Sequence, residues 1–174
     1  VAPIAELEFT AAAGDAAGNL EDCVFSEIDG PQLVFVNGHF SSELSRVGEL
    51  PPGVEIGNLA SAACEPCEAE DAFGALNAAS FTDGARVRVA DGVCFETPIR
   101  VYYLSTGSDG ATANIRNHIT LGANSKATIL ESWTGADAAY FNNAITELNV
   151  GDNALLEHVK FQDESTVAFH VAGL

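Results

Sequence analysis

The sequence predicts an all-β solenoid, a β-helix of stacked coils behind a small α+β leading region, and three observations predict it. Beyond Phe81 the chain is a succession of short β-branched segments punctuated by Gly, Asn or Asp, with no helical periodicity between them. Those segments repeat themselves at an offset near 29 residues. Ahead of them lie an Asn-Gly hairpin signal at 37–38 and one Ala-rich helical stretch.

In chain order, the Ala-, Gly- and acid-rich residues 1–30 predict a short strand over Ile4–Phe9 and then an irregular or partly helical connection. Leu33–Phe40 predicts two β-prone arms around Asn37-Gly38, because a two-residue turn needs φ > 0 at both positions. Ser41–Gly53, with Pro51-Pro52, reads as a loop, and Val54–Ile56 as another strand. Asn58 is a candidate N-cap for helix running to about Ala79, split in two by Pro66. Strands follow at 86–90, 99–104, 115–121, 127–131, 144–150 and 155–161. The expected organisation is a leading region over 1–80 and the first part of the β-helix, truncated, over 81–174.

The repeat is the strongest signal. Leu121-Gly-Ala-Asn124 recurs as Val150-Gly-Asp-Asn153, and at that 29-residue offset Ile115, Ile119 and Leu121 fall on Ala144, Leu148 and Val150. Asn117 falls on Thr146 between them. One repeat earlier, Asp91-Gly92 precedes Gly122 by 30 residues, placing Ala85 and Val89 on Ile115 and Ile119. Alternation turns one side of each strand inward, and stacking buries that side continuously. The corner glycine is expected to take the left-handed conformation, with the asparagine tolerating it. The competing reading is an ordinary antiparallel sandwich with accidental similarity.

Composition narrows the function. The chain has 174 residues, 7 Lys plus Arg against 25 Asp plus Glu, and a formal net charge of −18. Scattered basic residues exclude an electrostatic grip on nucleic acid or anionic lipid. No apolar run approaches the roughly 18 residues of a membrane span, and we expect no signal peptide. The acidity reads as a solvated, self-repelling surface, with a salt-rich habitat as an alternative. A cation-collecting surface lacks the dense acidic cluster it would need. The absence of Met and the opening at Val1 suggest a piece of a longer protein.

Several segments carry a family likeness. Leu33-Val-Phe-Val-Asn-Gly-His-Phe-Ser-Ser-Glu-Leu-Ser45 with Leu50-Pro-Pro-Gly-Val-Glu-Ile-Gly57, and then Asp71–Gly84, resemble the approach to the β-helix in the SufB/SufD family, nearer its SufD branch. Ser105-Thr-Gly107, Arg116-Asn117, Leu121–Asn124, Glu131-Ser132, Tyr140–Asn143, Thr146-Glu147, Leu156–His158 and Phe169-His170 resemble its successive turns. The resemblance runs from about residue 31 to the end. It implies a right-handed parallel β-helix and a non-enzymatic scaffold in the SUF system of iron–sulfur cluster assembly. The implied partners are a SufB-like subunit, paired through the β-helix, and a SufC-like ATPase; the cluster would sit transiently on the parent complex, with no cofactor in this stretch. The implied compartment is the cytoplasm, or the plastid stroma in a photosynthetic eukaryote. The family's SufC-binding segment and interface Cys/His positions have no counterpart here, so none is carried over. An open edge at the truncated end predicts dimerisation or aggregation of the chain alone.

Cys64-Glu-Pro-Cys67 is the sole Cys-x-x-Cys. Incidental thiols, a disulfide or redox pair, and a metal or cluster ligand set are its three readings. The neighbouring Glu65 and Glu68 would raise a thiol pKa rather than lower it. Zinc would need two more ligands, for which Cys23 and Cys94 lack pair spacing. His39, His118, His158 and His170, scattered one per turn, read as surface or edge residues; alternation turns His118 away from Ile119, while His158 aligns with Ile129. Arg116, Asn117, Glu131 and Asn143 read as a ladder on the solvent face, and no nucleophile–base–orienter set assembles. The runner-up function is a carbohydrate-binding or polysaccharide-active β-helix, with Trp133, Tyr102, Tyr103 and Tyr140 as candidate aromatic platforms.

Overall fold

The structure is a computed structural model that describes residues 20, 23–61, 71–106 and 110–174. The strand expected over Ile4–Phe9 and the helix break at Pro66 lie outside the described residues.

Strand β1 (Gln32–Val36) turns back as β2 (His39–Phe40), and β3 (Val54–Asn58) leads through a 3-10 turn, Leu59–Ser61, toward helix α1 (Ala72–Ser80). The remaining strands are β4 (Ala85–Val89), β5 (Ile99–Ser105), β6 (Thr112–Leu121), β7 (Lys126–Gly135), β8 (Phe141–Val150), β9 (Leu155–Asp163) and β10 (Phe169–Gly173). They form two five-stranded sheets, ordered β2-β1-β5-β7-β9 and β10-β8-β6-β4-β3. From β4 onward consecutive strands alternate between the sheets, and each pairs in parallel with the strand two places further on. Antiparallel pairing occurs at β1–β2 and β3–β4, so both sheets are mixed. That dominance of parallel ladders removes the antiparallel sandwich.

The turn after β1 forms as the sequence requires: Asn37 has φ 50° and Gly38 φ 81°, the double left-handed pair of a tight hairpin. The 29-residue offset is the register itself. Ile115 pairs with Ala144, Ile119 with Leu148 and Leu121 with Val150. In the other sheet the same offset puts Ile129 beside His158. The earlier repeat is spaced differently: Val87 pairs with Ile119 and Val89 with Leu121, an offset of 32 in place of 30. The two-residue error leaves every side chain on its expected face, because strand side chains alternate with period 2.

The correct register also reassigns the corner residues. The left-handed column is Gly92 (φ 72°), Asn124 (φ 57°) and Asn153 (φ 57°), with Asn153 Nδ2 donating to Asn124 Oδ1 at 2.9 Å. Gly122 and Gly151 serve a different purpose. A Cβ on Gly122 would lie 2.5 Å from the Asp91 amide nitrogen, and one on Gly151 would lie 2.7 Å from that of Ala123. Asparagine supplies the conformation, and glycine supplies the room.

Between the sheets lies one core of Leu33, Phe35, Val87, Val89, Val101, Ile115, Ile119, Leu121 and Ile129 with their neighbours. Its densest part is aromatic. Phe35 stacks on Tyr103 with centroids 5.2 Å apart, and Tyr103 on Trp133 at 4.0 Å, because β1, β5 and β7 bring these three into one row. Each such contact is worth about 0.5–1.5 kcal/mol beyond the area it buries. Inside the same core, Asn117 accepts from the Tyr103 hydroxyl (2.6 Å) and the Ala85 amide (2.8 Å) and donates to Thr146 (3.2 Å), so no polar atom of its amide group is wasted.

Helix α1 covers the outer face of the second sheet. Its cap is Asp71, whose carboxylate accepts from the Gly74 amide at 2.6 Å. Asn58 closes β3, pairs with Ala85, and donates its amide to Asp83 at 2.8 Å, directly ahead of the 3-10 turn; the helix expected to follow it runs into residues 62–70, outside the described residues. Asn77, fully buried, ties α1 down by donating to the carbonyls of Ile115 and Asn143.

Gly84 marks the tightest approach between repeats, since a Cβ there would lie 1.8 Å from the Arg116 carbonyl oxygen. We therefore expect Gly84→Ala to destabilise the chain by roughly 2–4 kcal/mol, because backbone must move. Gly57→Ala, where nothing lies within 4 Å, should stay within about 0.5 kcal/mol. Urea midpoints measure both; equal midpoints for the two variants would contradict the close approach.

Candidate functional site

Along β9 the inward row changes character. Leu156 still packs on the core, but His158, Lys160 and Gln162 follow at the next alternate positions. They pair with Ile129, Glu131 and Trp133 of β7, so the exposed Lys160 is set beside the buried Glu131. Two-residue periodicity puts Glu131 and Trp133 on one face, and parallel register sets Lys160 beside Glu131.

Glu131 is 4% exposed. Its carboxylate accepts from Trp133 Nε1, and lies 2.7 Å from His158 Nε2 and 3.5 Å from Lys160 Nζ. Lys160 reaches on to His170 Nε2 at 3.0 Å and stands 4.9 Å over the Trp133 ring. His170, on β10, meets Trp133 edge-on at 4.5 Å and places Nδ1 2.6 Å from Glu164 Oε2. Glu164 is further held by Asn142 (2.8 Å) and Gln162 (3.1 Å). The cluster thus crosslinks β7, β9, β10 and the turn carrying Glu164.

Burial pushes the Glu131 carboxyl up, but the hydrogen bonds from His158 and Trp133 and the Lys160 charge outweigh it, and the group sits below its ordinary value. Glu164 behaves alike: burial raises it, and His170 with Gln162 and Asn142 more than compensates. Tyr140, desolvated and facing Glu164, is pushed up to about 12. Both carboxylates are therefore anions at neutral pH, each matched to a histidine. The arrangement can hold and move protons along a line of side chains and can anchor one sheet to the other.

Of the residues singled out from sequence, Cys64 and Cys67 lie outside the described residues. Cys23 Sγ is 4.0 Å from Thr134 Oγ1, and Cys94 is exposed. Among the described residues no group of three or more His, Cys, Asp or Glu is placed to hold a metal ion. His39 is exposed on the hairpin, and His118 points outward to Glu147 at 2.7 Å. His158 and His170 lie half-buried on the outermost strands β9 and β10 and take part in the Glu131 cluster.

The solvent-face ladder expected for Arg116, Asn117, Glu131 and Asn143 is overturned, because all four are buried. Arg116 lies beneath α1, donating to Glu147 and to Asn77 Oδ1, so the helix covers what alternation alone would leave in water. The aromatic platforms fail for the same reason: Trp133, Tyr102, Tyr103 and Tyr140 are 1–2% exposed and offer no face to a sugar ring. Among the described residues no helix is long and apolar enough to cross a membrane. The interior cluster was within reach of sequence, in the alternation Glu131-x-Trp133 aligned with His158-x-Lys160-x-Gln162; the signal was the breakdown of the inward apolar row.

Glu131→Gln keeps an acceptor for Trp133 and removes the charge. At neutral pH it should cost roughly 2–4 kcal/mol, because His158 and Lys160 lose a buried partner. The folded-state value lies below the ordinary 4.5, so the stability it contributes is present above 4.5 and is lost as pH falls through the folded value. Denaturation midpoints of variant and parent should converge on acidification through that window. A gap that is constant with pH would contradict the assignment.

Comparison with known proteins follows this geometry. The profile described as SUF system FeS cluster assembly, SufBD core domain, matches residues 103–174. The chain is 27% identical to the iron-sulfur cluster assembly SufBD family protein slr0076 of Synechocystis sp., over 87% of this chain and 38% of that one. It is also 27% identical to the iron-sulfur cluster assembly protein SufD of Escherichia coli, over 95% of this chain and 40% of that one. The chain therefore spans about two fifths of the length of these relatives. Residues 103–174, which match the SufBD core-domain profile, contribute every residue of the cluster described above.

Proposed function

We propose that this chain is part of a SufD-like, non-enzymatic scaffold subunit in iron–sulfur cluster assembly. In this reading the two sheets are the walls of a right-handed parallel β-helix whose first stretch runs over residues 81–174. The β-helix pairs with that of a SufB-like subunit, in a complex with a SufC-like ATPase, and the cluster is carried transiently by the complex.

One observation carries the reading: the residues that match the SufBD core profile coincide with the stretch where strands alternate between sheets in parallel register. A scaffold role needs a long rigid wall, and the continuous parallel ladders and stacked aromatic row of this stretch are of that kind. The outermost strands β9 and β10 each have one sheet neighbour, so each presents an unpaired backbone edge of the kind another strand can join. The carbohydrate alternative is not favoured, because its aromatic platforms are buried.

Affinity purification of the full-length parent, followed by identification of what accompanies it, tests the proposal. SufB- and SufC-like proteins should be retained through a salt wash; a parent that retains neither removes the proposal. The 174-residue chain by itself should self-associate through its edges, and light scattering on a sizing column that shows a stable monomer at high concentration would count against pairing there.

A further inference from the structure

We propose that His170 is a proton-operated clasp between the two sheets, closed when its imidazole is neutral and opened when it takes up a proton. The inference stands on the side-chain geometry of the interior cluster and holds whatever the parent complex does.

The tautomer follows from the partners. A lysine ammonium has only donors, so with Lys160 Nζ at 3.0 Å the His170 Nε2 atom must accept. Its other nitrogen, Nδ1, carries the hydrogen and donates to Glu164 Oε2 at 2.6 Å. Neutral His170 thus bridges a cation on β9 to an anion in the turn before β10. Because β9 and β10 are the outermost strands of different sheets, no backbone ladder joins them. The Lys160–His170–Glu164 line does.

A proton added at Nε2 abolishes the acceptor and sets a second positive charge against the Lys160 ammonium. Lys160 has an alternative partner in Glu131, 3.5 Å away, while the imidazolium keeps Glu164. The bridge across the interior therefore breaks, and each cation stays with its own carboxylate. Among the described residues, the titratable or charged groups of this cluster are Lys160 and His158 from β9, Glu131 from β7, Glu164 from the turn, and Tyr140 ahead of β8, facing Glu164. Its backbone neighbour on β8, Asn142, is neutral and holds Glu164. The His170 side chain is 11% exposed and the Lys160 side chain 27%, so the proton reaches Nε2 from the Lys160 side.

Trp133 is the only tryptophan in the chain and lies edge-on to His170, so its fluorescence reads the imidazole directly. Protonation of His170 on acidification should quench it, since an imidazolium quenches indole more strongly than imidazole. Lys160→Met should move the quenching midpoint up by about one pH unit, because a like charge no longer opposes the proton. His170→Gln should abolish the transition. A midpoint unchanged in Lys160→Met, or quenching that persists in His170→Gln, overturns the clasp. Imidazole nitrogen NMR on the unaltered chain gives an independent answer: the Nδ1–H tautomer at pH 8 is expected, and Nε2–H overturns the proposal.

Discussion

Parallel register between like residues is the constraint on which the rest of this structure depends. Each strand lies beside its equivalent in the next repeat, so a side chain meets the same kind of environment above and below. Ile115 beside Ala144, Tyr103 between Phe35 and Trp133, and Asn124 beneath Asn153 are all expressions of it. A row tolerates only what can stack: apolar groups inward, aromatic faces on faces, amides that exchange hydrogen bonds, and glycine where backbones touch. Slipping one strand by one residue would send its whole inward set to the opposite face, so the register is strongly specified.

That constraint explains what sequence could convey. Where two repeats have equal length, as from β6 to β8, matching residues reveal the register directly, and the 29-residue offset is the pairing in the structure. Where lengths differ, as from β4 to β6, aligning glycine on glycine gave 30 and the structure gives 32. Gly92 and Gly122 look alike in a sequence but answer to different physics, one to a left-handed φ and the other to crowding by the Asp91 backbone. Helix boundaries were obscured for another reason. Asn58 has the chemistry of a cap, and the long-range pairing with β4 extends β3 as far as it.

The interior cluster was less legible because alternation states which way a side chain points and not what covers it. Arg116 points outward and is nonetheless buried, since α1, joined to it through Asn77, lies over that face. Glu131 points inward, against the expectation that carboxylates prefer water. Its cost is met by three partners, two from β9 and one from its own strand. No local pattern announces such a site; it emerges when two strands 29 residues apart are laid side by side.

The same register gives the charges their purpose. A row of leucines along β9 would pack against β7 in several ways that differ little in energy. A carboxylate that must meet both a histidine and a lysine has few equivalent positions, so a buried ionic row fixes alignment even where it adds little net stability. Most of the acidic residues described cannot do this, since exposed carboxylates are screened and contribute little individually. Glu131 and Glu164 differ from them by desolvation and by the histidine each one holds. Among the described residues, Glu131 and Glu164 therefore set how β9 and β10 are fastened to β7 and to each other.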